Sequence, residues 1–498
     1  MGGKVFSSGN SPLHTPRMAP VVYEHLKRQC ISALKYLFPR VESPIEAPEK
    51  SSFGDIDILV SLEGTGSTTR NFADPSAWTP IREALGGVRS YHEVRTGADR
   101  KKFIESMSFA IPWPADLSKD ECAAQTLLEV GQTAATAASD GRVGEADNAS
   151  KARYVQVDVG LCDNSHDLDW RLFKHNHGDL WNMLGMIIRP FGLTADETSL
   201  SIRIPEIERE NKKGSRVFLT SNPTEVLDFL GLSQQNGEWE RPFKSVKDLF
   251  EYAAGCKWFI LWPRDTEAEE DKKTTHENNN NNNNNATNKD QSEEAKKLKH
   301  NDRARMKQRP LFARWVDDFI PQCREQGRFP VPGPATKTPD DVRADVRAEA
   351  FRAFPDSEPI YAATLAAWRR EKTRVYVKNT VIKGDVCLPA DISHVLPAPR
   401  EEAAGAAIAD GAPDAERMWR GALRSALAKI LIDDDAGFGG VVPPKLRDDQ
   451  GALVVDDVKD WINRHWEEVG RVAWEVQCEK FRANVERKRK LAEVTGGG

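Results

Sequence analysis

The stretch from Lys50 to Leu62, KSSFGDIDILVSL, decides how this chain reads. Its apolar residues Ile56, Ile58, Leu59 and Val60 predict a strand, yet the strand opens with two acids, Asp55 and Asp57. Side chains alternate faces along a strand, so the two carboxylates share one face and Ile56 and Ile58 the other. They lie about 7 Å apart along the strand. At close approach such a pair repels by roughly 1 kcal/mol in water and about 4 kcal/mol at an effective dielectric of 20. A divalent cation is the usual reason for tolerating that repulsion.

A third acid fits the same pattern. In ARYVQVDVGLC, Val155, Val157 and Val159 alternate with Gln156, Asp158 and Gly160, which predicts a half-buried strand with Asp158 on its polar face. If the two strands are neighbours, Asp55, Asp57 and Asp158 converge. Hard oxygen ligands of this kind suit a two-cation phosphoryl-transfer site. Asp158 is then placed to take the acceptor's proton.

The arrangement FGDIDILV followed by VQVDV resembles the polymerase-beta-like nucleotidyltransferase superfamily, over about residues 20–265. The stretches TSNPTEVLDFLGL and FKSVKDLFEYAAGCKWF are similar to the helical tail of some members. The resemblance implies an α+β fold, a nucleotidyltransferase-like mixed sheet with flanking helices. It implies Mg2+ or Mn2+ as cofactor, held by Asp55, Asp57 and Asp158, and a nucleoside triphosphate as substrate. The acceptor is left open: RNA, DNA, a protein side chain or a small molecule. Members carry Gly-Ser about ten residues before the acid pair to grip the triphosphate; here Glu42 and Ser43 stand there, followed by Pro44. A glutamate lacks glycine's freedom and repels phosphate. Ser43, Ser52 and Gly54 are the residues offered for that grip. Two alternatives stay open: a non-catalytic relative used for binding or scaffolding, and a DxD glycosyltransferase.

The rest of the chain sets the frame. Its 498 residues suggest two to four domains. The charge of −6 argues against a generally basic nucleic-acid coat but not against a local basic groove. Seven cysteines, none in a CxxC pair, fit reduced intracellular thiols, cytosolic or nuclear, and no run reaches the roughly eighteen apolar residues of a membrane span. Residues 1–19 are expected to be disordered. The 20–265 domain carries a charged, small-residue surface insertion at 115–150. An Asn-rich linker at 266–302 leads to a mainly helical domain of unknown role, 303–498. His166, His175 and His177 lack the spacing of a zinc helix and are read as surface histidines at a helix start. Basic residues in ENKKGSR, in the run 296–309 and in AAWRREKTRVYVKN are candidate anion contacts, each with a plain solvated reading beside it.

Overall fold

The computed structural model describes residues 3–8, 11–64, 72–96, 102–140, 152–263, 300–333, 337–396, 412–435, 437–443 and 445–495. Most of the expected linker at 266–302 lies outside them. The chain forms two compact units. One comprises Met1–Arg203 with Arg216–Ser357, the other Ile204–Ser215 with Glu358–Gly498. Helices in 300–353 therefore group with the first unit. Among the described residues, no helix is long and apolar enough to cross a membrane.

The first unit is built on a mixed five-stranded sheet. Its strands are β1 (Val41–Glu42), β2 (Asp55–Ser61), β3 (Arg89–His92), β6 (Ser106–Pro112) and β7 (Tyr154–Cys162), with β4 (Arg95–Thr96) and β5 (Lys102–Phe103) forming a separate small ribbon. The order is β1-β2-β7-β6-β3. Only β2 and β7 run parallel; the other neighbours are antiparallel. A parallel pair needs a long crossover, and the chain between β2 and β7 supplies it.

Helix α1 (Pro20–Leu34) begins with a first-turn proline and buries Val22, Leu26, Cys30 and Leu34, spaced four apart as one helical face requires. It packs with Trp78, Ile81 of α2 (Thr79–Ala84), Ile56, Ile58, Val157 and Phe109 in one core cluster. Ile56, Val157 and Phe109 are register partners, so this is the apolar face of the sheet.

The opposite face divides along its length. At the carboxyl ends of the strands Leu59 and Cys162 pack against Leu168 of α4 (Ser165–His175). Gly160 makes room: a Cβ there would sit 2.8 Å from Leu59 Cδ2. At the amino ends the same face carries the acids.

Three expectations differ from the structure. The 115–150 stretch includes a helix, α3 (Lys119–Asp140), whose Ala124 and Leu128 pack on the core and whose Gln125 holds the Ala19 N–H. Small residues with high helix propensity hid the pattern. Strand β7 is not half-buried: lying centrally, it buries Gln156 as well as its valines. The described part of 1–19 is packed, with Phe6 only 3% exposed and Met18 bonded through both its N–H and C=O to Phe53.

Candidate active site

Register brings the acids together. Asp57 of β2 lies directly opposite Asp158 of β7, and Asp158 opposite Ser108 of β6. Paired residues in a sheet share a face, so Asp57, Asp158 and Ser108 form one row across three strands, spaced by about 4.8 Å. The next row holds Asp55 and Gln156.

Each carboxylate is protonated more readily than usual. Asp57 is open to solvent on one side but sunk in the protein, and this desolvation raises its pKa first; Asp55, Asp158 and Glu46 push further while Lys50 opposes, to about 7. Burial also raises Asp55, with Glu46 adding, against Lys50 and the Gly3 N–H. Asp158 is raised by burial, moderated by hydrogen bonds from Ser108 and Gln156. Burial leads each of the three shifts, and the neighbouring carboxylates add to it, most at Asp57.

Sequence reasoning missed two members of this cluster. Glu46 accepts from the Tyr23 hydroxyl at 2.7 Å and pairs with Lys50 Nζ at 2.7 Å. The Lys50 ammonium also lies 4.6 Å from the Phe53 ring, itself stacked on Tyr23 at 3.9 Å. The loop is held from the α4 end: the Ile45 N–H donates to Asn176 Oδ1 at 2.8 Å, and the His177 N–H to the Ile45 carbonyl at 2.7 Å. Gly178 permits this approach, since a Cβ there would lie 2.9 Å from Ala47 Cβ. A sequence signal existed only in composition, an acid and a base four apart ahead of the strand.

The N-terminal segment crosses the site as a strap. The Gly3 N–H donates to Asp55 Oδ2 at 3.1 Å, and the Val5 N–H to Gln156 Oε1 at 3.1 Å. Gly3 has φ +82°, and a Cβ would lie 2.1 Å from the Gly54 carbonyl oxygen, so only glycine fits. Gln156, 2% exposed, turns its amide nitrogen to both oxygens of Asp158, at 2.9 and 3.1 Å.

The residues expected to grip a triphosphate are placed as follows. Ser43 follows β1 alongside β2; its Oγ is buried beside the Tyr23 hydroxyl without hydrogen-bonding geometry. Ser52 Oγ accepts from Arg17 Nε at 2.8 Å, and its carbonyl from the same guanidinium at 2.7 Å. Gly54 faces the strap. Glu42 is paired with Arg40 at 3.7 Å.

His166 and His175 are exposed as expected, but His177 is fully buried, and its Nε2 meets the Trp239 carbonyl at 2.7 Å. It sits in the left-handed region, φ 63°, at the turn between α4 and α5 (Leu180–Ile188), among Trp239 and Phe243. Arg216 is paired with Asp196 at 2.7 Å, and Arg203 donates to the Arg189 carbonyl at 2.5 Å, so neither is turned to a phosphate.

The three acids fit a hard divalent cation by donor chemistry and by shared face. As arranged, no three His, Cys, Asp or Glu side chains among the described residues already converge as a metal cage. Asp158 is held instead by Gln156 and Ser108. A cleft of about 580 Å³ in the second unit is lined by Gly440, Val441, Val442, Lys445, Leu446 and Trp461. No protein-family model and no curated protein matches this chain.

Proposed function

We propose that the first unit is a divalent-cation-dependent nucleotidyltransferase, moving a nucleoside monophosphate from a triphosphate to an acceptor hydroxyl. One observation carries this reading: Asp57 and Asp158 are register partners on adjacent parallel strands, with Asp55 on the same face. Asp55 and Asp57 would hold Mg2+ or Mn2+, and Asp158 would complete the set. The cation supplies charge neutralisation at the phosphates and acidifies the acceptor hydroxyl. Asp158 accepts the hydroxyl proton as the acceptor oxygen bonds to the α-phosphorus and the bond to the departing pyrophosphate breaks. Lys50, the cation opposing these acids, balances part of their charge.

The test is thermal unfolding with each nucleoside triphosphate, with and without Mg2+, on the wild type and Asp57→Asn. A triphosphate shift that needs the cation and disappears in the variant supports the enzyme. A labelled triphosphate with an RNA or DNA primer then reads the transfer itself.

A second reading, binding without catalysis, is favoured by one feature. Both Asp158 oxygens already accept from Gln156, and Glu42-Ser43-Pro44 replaces the flexible phosphate grip. It predicts no triphosphate shift at saturating ligand.

A further inference from the structure

The helix Val455–Thr495 changes character halfway. In its first half Val458, Trp461, Ile462, Trp466, Val469 and Ala473 are buried in a core shared with the helix Ala412–Leu431. Beyond Ala473 none of its described side chains is buried. Its partner helix has 20 residues against 41, so about 30 Å of helix, from Val476 onward, runs past the packing that stabilises the rest.

That extension is basic. Glu479–Lys490 holds six Lys or Arg residues and two acids, in a chain whose net charge is −6. Lys480, Arg482 and Lys488 have no acidic partner among the described residues; Lys490 pairs with Glu486 at 3.0 Å. The basic stretch AAWRREKTRVYVKN of the same unit differs. In Ser357–Tyr376, Arg369 and Lys372 pair with Glu206 and Glu210, and Arg374 with Glu371. Three of that helix's four cations are thus paired with acids, and Arg370 donates to the Gln450 carbonyl.

The charges surround the extension. Successive residues are offset by about 100°, so Lys480 and Arg482 lie on opposite sides and Arg487 to Lys490 wind through a turn. A flat acidic protein face would meet one side only. A membrane-surface helix needs a broad apolar face, and within Glu479–Lys490 the apolar residues are Phe481, Ala483 and Val485 against six cations. The B-form major groove, about 12 Å wide, admits a helix of about 10–12 Å diameter and lines it with phosphates on both walls. The A-form major groove is too narrow.

We propose that Glu479–Lys490 is a docking helix for double-stranded DNA, its cations meeting phosphates on both sides of the major groove. The helix belongs to the second unit and the acids to the first. The test is binding of the full chain to a short DNA duplex across a salt series, by fluorescence anisotropy. Converting Arg487, Lys488, Arg489 and Lys490 together to Gln should flatten the log–log salt slope by about 3–4 and weaken binding roughly 100-fold or more at about 0.1 M salt. Unchanged far-UV ellipticity would show that the helix persists. Arg369→Gln with Arg374→Gln, and separately Asp57→Asn, should bind as the wild type does. Absence of wild-type binding, an unchanged slope in the quadruple variant, or tighter binding to duplex RNA or to phosphatidylserine vesicles would overturn the assignment.

Discussion

Two carboxylate sites in the first unit handle burial in opposite ways. Asp302, 6% exposed, accepts from Arg189 through both oxygens at 2.9 and 3.0 Å and from Arg305 at 2.5 Å. The fold itself supplies two cations for one acid. At the other site Asp55, Asp57, Asp158 and Glu46 act on one another, with Lys50 opposing the two β2 acids and already bonded to Glu46. The first arrangement is complete as it stands. The second gathers more acids than fold-supplied cations on one sheet face, and its carboxyls hold their protons to higher pH; this is the face to which we assign a cation from outside.

The contrast can be broken at either end. Asp302→Ala leaves two guanidinium groups facing a void and should destabilise the protein by about 2–3 kcal/mol, discounted from a fully buried pair because both arginines are about one-third exposed. Urea unfolding measures it. An equal loss for Asp57→Asn would erase the distinction between the sites. Cation binding at the acid face should stabilise the wild type by about 2.7 kcal/mol at a hundredfold excess over Kd, and leave Asp57→Asn unmoved.

The pH dependence sharpens the same point. The folded pKa of Asp57 is raised to about 7 from 3.8. The folded state therefore binds the proton more tightly than the unfolded chain. The resulting stabilisation is full below the unfolded value and is lost as pH rises through about 7. Without metal, the wild type should lose about 1–2 kcal/mol relative to Asp57→Asn between pH 5 and pH 8, an amount reduced for solvent screening at this open side chain. A parallel pair of stability–pH curves would contradict it. The smallest effect expected is at the strap. Gly3→Val cannot fit against Gly54, so Asp55 loses a backbone donor; its pKa should rise further and stability fall by about 1 kcal/mol. Carboxyl-carbon NMR titration reads the first, unfolding the second.

What was legible in the sequence was whatever local periodicity controls. Alternation placed Asp55 and Asp57 on one face of β2 and Asp158 on a second strand, and spacing of four gave the buried stripe of α1. The adjacency of β2 and β7 was a condition rather than a reading, because strand order is set by packing across a long crossover. Glu46 and Lys50 were illegible for a different reason. They sit in a loop without periodicity, and a hydrogen bond to the Asn176 side-chain oxygen and one from the His177 N–H, well over a hundred residues away, hold that loop in place. The strap was not legible because glycine- and serine-rich composition weighs against order, while buried Phe6 and Met18 and backbone bonds to Asp55, Gln156 and Phe53 seat it. His177 looked polar in a polar run, yet a turn with positive φ directs it inward.

The central claim is that Asp55, Asp57 and Asp158 together take a divalent cation. Calorimetric titration of Mn2+ into the full chain at pH 8 tests it most directly, with Asp57→Asn as the paired sample. Saturable binding in the wild type that disappears in the variant is the expected result. Absence of binding to the wild type, or identical isotherms for both proteins, would contradict it.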